Sequence, residues 1–266
     1  MHIGWELEFE CPLNHDREAY IMPAANRHWF IKHDGSLANG LEIVSYPMTF
    51  EYLYSIRDEL AKQFKELQKQ NCKSFNTNTC GMHVHVSKDA ITNLHLYKIL
   101  DFFRKNKKFI TEASHRKKAD LQRWASLNRI SKKKVGVPQR PTYHEAMSGR
   151  RMSVKYRSVM RLMAEKSAHG MVKYSAINVL PEGTIEFRIF KGTLNPVGFY
   201  RNIQFLESII EWTRNESLRA VTMGSYLEYL LSNAARYRLV VDFVRKKGYV
   251  KERKVSKKKK TIHVEF

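Results

Sequence analysis

The chain is short of acid. Its 266 residues hold 26 Asp and Glu against 47 Lys and Arg, a formal net charge of +21 at pH 7. It also lacks any run of about 18 apolar residues, so no membrane-crossing helix is expected. Charged residues stand near the N-terminus where a secretory leader would place its apolar stretch, so an unsecreted protein is expected. Three cysteines, Cys11, Cys72 and Cys80, are too few and odd in number for a multi-bridge disulfide framework, and they fit a reducing cytoplasm. No internal repeat is visible.

What is present belongs to a globular protein. Hydrophobic residues make up 43% and aromatics 12% of the chain, enough to bury one substantial core. The excess of base implies attraction to anions such as nucleotide phosphates, nucleic acid or acidic peptides. It is concentrated in two blocks. Residues 104–173 contain "RKNKK", "SHRKK", "SKKK" and "SGRRMSVKYR", and residues 251–266 begin "KERKVSKKKK". The organisation expected is a single catalytic domain over 1–250, with a basic insertion or lid at about 104–173 and a basic tail at 251–266.

The pattern along the chain mixes strands and helices. "IGWELEFE" alternates as a strand, and "HWFIKHDGSLANGLEIVSYP" reads as a hairpin around Asp34-Gly35 and Asn39-Gly40. Helical spacing of Phe50, Leu53, Ile56, Leu60, Phe64 and Leu67, with Thr49 as N-cap, predicts a helix over 49–70. "MHVHVS" is a strand, followed by a helix from about Asp89. "YSAINVL", the turn "PEG" and "TIEFRIF" form a second hairpin, and helices are expected at about 197–213 and 223–247. Strands early, midway and late, separated by helices, argue for an α+β fold with a mixed or antiparallel sheet.

The strands share one peculiarity. Each carries its ionisable residues on one face, two apart where there is more than one, with apolar residues on the other. The first strand has Glu6, Glu8 and Glu10, and the second has Glu42. The third has His83 and His85, and the fourth has Glu186 and Arg188. Any one of these could be a solvated face. Together they describe a sheet with an apolar face under helices and a face lined by Glu, His and Arg. Carboxylates with imidazole suit Mg²⁺ or Mn²⁺ bridging to phosphate, and Arg188 beside Glu186 suits a phosphate or carboxylate. The run Cys80, His83, His85, with Cys72 nearby, could suggest zinc, but its spacing matches no closed zinc pattern. Asp34 falls in a turn, where Asp is favoured for local hydrogen bonding alone.

These stretches resemble the amidoligase family, relatives of glutamate–cysteine ligase and glutamine synthetase. "GWELEFE" is similar to the family's G-x-E-x-E opening, and "HDGSLANGLEIVSYP" to its D-G-S and E-x-x-S segment. "CGMHVHVS" looks like its G-x-H-x-H strand, and "INVLPEGTIEFRIFKGTLNP" like its closing N…T-x-E-F-R strand. The resemblance implies an antiparallel half-barrel sheet with helices on its convex face, and ATP with Mg²⁺ or Mn²⁺ on the concave one. It implies that Glu6, Glu8, Glu42, His83 and Glu186 hold metal. It further implies that Glu8, Arg188, Lys191 and Lys173 hold nucleotide, and that Arg188 and Glu186 are catalytic. Glu10, His85, Asp34, Ser36 and Asn178 are further candidates. The implied reaction joins a carboxylate to an amine through an acyl phosphate. The alternatives are a nucleic-acid-binding protein, and a metal-dependent phosphohydrolase or nuclease using the same face.

Overall fold

The computed structural model describes residues 1–12, 27–34, 37, 40–127 and 174–250. Among them six strands form one open antiparallel sheet. These are β1 (Ile3–Glu10), β2 (Trp29–His33), β3 (Gly40–Ser45), β4 (Gly81–Ser87), β5 (Ile177–Asn178) and β6 (Thr184–Lys191). The order across the sheet is β2-β3-β1-β4-β6-β5. Both expected hairpins are present, β2 with β3 and β5 with β6. The longest strands, β1 and β6, lie inside the sheet, and short β2 and β5 form its edges, which limits the exposed pairing surface.

The alternation read from sequence decides the layering. Trp5, Leu7 and Phe9 of β1, Leu41 and Ile43 of β3, Val84 and Val86 of β4, and Ile185 and Phe187 of β6 are buried together. Helices cover this face. They are α1 (Phe50–Ser55), α2 (Arg57–Lys69), α3 (Asn93–Lys105), α4 (Lys107–Ser114), α5 (Lys118–Trp124), α6 (Pro196–Asn215), α7 (Met223–Ser232) and α8 (Arg238–Lys246). The long α6 starts with Pro196 in its first turn under an Asn195 cap, the preferred use of both residue types. Its Phe199 packs edge-on against Trp5 at 5.0 Å between ring centroids and against Phe64 of α2 at 5.4 Å. Phe205, further along α6, meets Phe190 and Phe109.

Several boundaries differ from expectation. The helix expected over 49–70 starts under Thr49 as predicted, but it is interrupted at Ile56. There the Ser55 hydroxyl donates to the Tyr52 carbonyl at 2.7 Å, the same carbonyl that accepts from the Ile56 N–H. Such back-bonding bends helices. The helix expected from Asp89 begins at Asn93 under a Thr92 cap, with Lys88–Ala90 forming a 3₁₀ turn. The helix expected over 223–247 is two, separated by a turn at 233–237. Asn233 ends the first, its side chain donating to the Tyr229 carbonyl. Cys11 and Cys72 are joined as a disulfide, so the low cysteine count excluded a framework but not a single bridge. Mutual hydrogen bonds of Glu10 and Lys73 set the two cysteines side by side. The first part of the expected basic insertion is α4 and α5, with Phe109 and Ile110 in the core. Residues 128–173 and the tail 251–266 lie outside the described residues. No described helix is long and apolar enough to cross a membrane.

Candidate metal and phosphate site on the sheet face

The face of the sheet turned away from the helices collects the ionisable residues. Strand pairing sets Glu6 opposite His83, Glu8 opposite Glu42, and Glu186 opposite His85. Directly opposed residues of antiparallel strands carry Cβ atoms about 5 Å apart, so the side chains must meet. His83 is the hub: its Nδ1 is 3.3 Å from Glu6 Oε2 and 3.5 Å from Glu186 Oε1, and its Nε2 is 3.7 Å from Glu8 Oε1. His85 Nε2 stands 3.3 Å from Glu6 Oε1.

Each remaining carboxylate has its own donor. Glu8 Oε2 accepts from the Gly81 N–H at 2.6 Å. Glu42 pairs with Lys32 at 2.8 Å. Glu186 accepts from Asn178 Nδ2 at 2.7 Å and from Arg188 Nη1 through its other oxygen. A bulge tunes the upper end of the face. Between the pairs Met82–Phe190 and Val84–Phe187, two residues of β6 oppose His83 alone. Strict alternation from Ile185 through Ile189 would put Lys191 on the apolar face. The bulge resets it opposite Gly81, on the same side as His83. There its ammonium donates to the Thr77 carbonyl. Arg116, buried, donates to the Phe190 carbonyl at 3.1 Å and lies so close to Gly81 that a Cβ there would be 2.1 Å from its guanidinium.

The electrostatics follow from burial and from these pairs. Burial acts to raise the Glu6 carboxyl, but hydrogen bonds and charge from His83 and His85 outweigh it and hold the group far below the usual carboxylate range. Burial disfavours charge on His85, yet Glu6 and Glu186 raise it above its ordinary value. Burial, reinforced by Glu6 and Asp34, keeps the Glu42 carboxyl above its ordinary value despite Lys32. The hydrogen bond to Glu42 lifts Lys32 in turn. Burial lowers both Arg116 and Lys191, which also repel one another.

Two features bear on what this face can hold. Glu6, His85 and Glu186 each offer one ligand atom, and these atoms all lie within 4.8 Å of one another. Among the described residues, Arg188 Nε is buried without a hydrogen-bond partner, and the one polar group near His85 Nε2 is the Glu6 carboxylate at 3.3 Å. Carboxylate oxygens with one imidazole nitrogen form a donor set that fits Mg²⁺ or Mn²⁺, and an unpaired guanidinium N–H beside it fits a phosphate oxygen. A groove of about 410 Å³ lined by Gly4, Glu6, Ser45, His85, Ser87 and Thr184 leads to this point from the lower end of the sheet.

Of the residues singled out in the sequence, Glu6, Glu8, Glu42, His83, His85, Glu186, Arg188 and Asn178 come together. Lys191 lies at the upper end. Glu10 is also there but turned to Thr79, whose hydroxyl donates to it at 2.7 Å. Asp34 lies just past β2, its N–H bonded to the Gly40 carbonyl. Ser36 and Lys173 fall outside the described residues. The cysteines do not join the histidines: Cys72 is in the disulfide, and Cys80 is buried beside Glu10 with its thiol pushed up to about 11, first by burial. Sequence reasoning missed Lys32, although Phe30 and Lys32 alternate with Trp29 and Ile31. It also missed Arg116, which no local pattern separates from its basic neighbours.

The sequence model of one protein family, described as "Putative amidoligase enzyme", matches residues 13–210. The match includes β2, β3, β4 and β6 but begins after β1, so Glu6 and Glu8 are tied to the rest of the site by strand pairing. No curated protein matches the chain.

Proposed function

From the chain's membership of the putative amidoligase enzyme family, we propose that it is an ATP- and divalent-cation-dependent ligase that joins a carboxylate to an amine through an acyl phosphate. The observation that carries this reading is the convergence of Glu6, His85 and Glu186 beside the unpaired, buried Nε of Arg188. In this reading the sheet is the half-barrel of the glutamine synthetase and glutamate–cysteine ligase type, with its helices on the convex side.

Glu6, His85 and Glu186 would hold the cation, with Glu8 and Glu42 flanking them. Bound there, Mg²⁺ or Mn²⁺ supplies neutralisation of the β- and γ-phosphate oxygens. Arg188 then turns its guanidinium from Glu186 to the transferring phosphoryl group, and Asn178 keeps Glu186 oriented when it does. A substrate carboxylate oxygen attacks the γ-phosphorus and ADP leaves. The amine nitrogen next attacks the acyl carbon, phosphate leaves with the C–O bonding pair, and the nitrogen gives up a proton. Arg116 and Lys191 add positive charge at the end where phosphates gather.

Calorimetry of ATP with Mg²⁺, on the native protein and on Glu6→Gln and Glu186→Gln, tests this reading. The expected result is binding in the native protein, lost in both variants while their unfolding temperatures stay close to native. Metal-dependent cleavage of an oligonucleotide without ATP, or no ATP binding with either metal, overturns it.

A further inference from the structure

Among the described residues of the basic segment after α3, Arg116 borders the sheet face, and the other basic residues lie beyond it. The described portion of this segment folds as α4 and α5, and a cavity of about 520 Å³ lies between them. Lys107 and Lys108 from the start of α4 and Lys118 from the start of α5 stand around it. Leu121 and Leu127 form an apolar floor, and Thr111, Gln122 and Ser126 supply hydrogen-bonding groups. The one acid among the described lining residues, Glu112, is engaged by the Tyr249 hydroxyl at 3.2 Å. Two lysines without an acid in the first turn of α4 oppose its helix dipole.

The cavity is continuous in charge with the sheet face. Arg116 and Lys117 connect α4 to α5. Arg116 lies against Gly81, and both residues act electrostatically on Lys191. On the other wall Ser126 bridges to Ser175, three residues before Asn178, which holds Glu186. A chain of cations therefore leads from the cleft to the upper end of the site.

We propose that the cleft between α4 and α5 seats acidic side chains of a peptide whose carboxyl group reaches Glu186 and Arg188, which makes an acidic peptide the carboxylate substrate. This rests on the ligase reading. Charge complementarity selects a polyanion, and amide formation requires a carboxyl group, which an acidic peptide has and a nucleic acid lacks. Among the described lining residues there is also no aromatic ring on which a base could stack.

Fluorescence anisotropy of a labelled octaglutamate with the full chain, in the absence of ATP, tests the proposal. Lys108→Ser/Lys118→Ser is compared with Lys62→Ser/Lys65→Ser, which removes the same charge from exposed positions of α2. The expected result is affinity that falls with salt, weakened about tenfold or more by the first pair and within about twofold of native for the second. Circular dichroism confirms that both variants fold. Equal weakening by both pairs would show general attraction to a basic protein and overturn the cleft. An equally charged single-stranded oligonucleotide that displaces the peptide equally well would overturn the choice of peptide. Because this binding needs no nucleotide, its failure is distinct from failure of the ATP test above.

Discussion

Glu6 sits directly across from His83 in the pairing of β1 with β4, its Oε2 3.3 Å from His83 Nδ1, while its Oε1 is 3.3 Å from His85 Nε2. One carboxylate thus faces two imidazoles on the neighbouring strand. This is why a protein with a large excess of base keeps a row of acids on its first strand. The acids are the anionic half of a tightly paired cluster. The row therefore cannot be replaced by lysine, whatever the net charge of the rest of the chain.

The approach of Arg116 to Gly81 leaves no room for a side chain. Gly81→Ala should push the guanidinium from its place against β4, and overpacking of this kind costs about 1–3 kcal/mol. Urea denaturation should report the loss of stability. On the ligase reading, ATP affinity should fall in the same variant, because the displaced guanidinium borders the end of the site proposed to take phosphate. Full stability in Gly81→Ala would mean that Arg116 has space to move.

His95 makes stability depend on pH. It is buried between α3 and α6, with Nε2 3.0 Å from the Ile210 carbonyl and from Thr213 Oγ1. Burial pushes its pKa down to about 4, assisted by Arg214 and Lys98 and opposed by the Ile210 carbonyl. The unfolded chain takes up this proton near pH 6.5 and the folded chain only near 4. Stability is therefore fully present above 6.5 and declines as pH falls toward 4, by about 3 kcal/mol from this group. Chemical denaturation at pH 7.5, 6 and 4.5 should show a shallower decline in His95→Gln than in the native protein. Parallel curves would assign the acid sensitivity to other groups, of which His115, also pushed down to about 4, is the first to test.

Glu207 is fully buried on α6, accepting from the Tyr54 hydroxyl at 2.6 Å and pairing with Arg236 at 2.5 Å. Arg236→Leu should destabilise the fold by about 2–3 kcal/mol, somewhat under the cost of breaking a fully buried pair because the guanidinium is half exposed. The double variant Arg236→Leu/Glu207→Leu should recover part of that loss, since no buried carboxylate remains without its partner. Denaturation midpoints of the three proteins measure the difference. A double variant less stable than the single would show that packing, not charge, governs this contact.

Legibility of the sequence varied with the range of the interaction. Alternation along β1, β4 and β6 displayed both faces of the sheet, because side-chain direction in a strand is a property of the backbone alone. The caps at Thr49 and Asn195 were equally local, although only Thr49 was recognised beforehand. Helix interruptions at Ile56 and Asn233 were not legible, because the apolar spacing continues through both.

The sequence by itself determined which residues of β1, β3 and β4 face the helices and which face the site, since period-two patterning needs no partner to express it. It also determined the family, through motifs spread over most of the chain. Only the tertiary structure decided the neighbours: His83 between Glu6 and Glu186, Arg116 against Gly81, and Lys191 turned onto the polar face by a bulge. Such contacts depend on strand order, register and long-range packing, which are set by the free energy of the whole core and leave no trace at any one position.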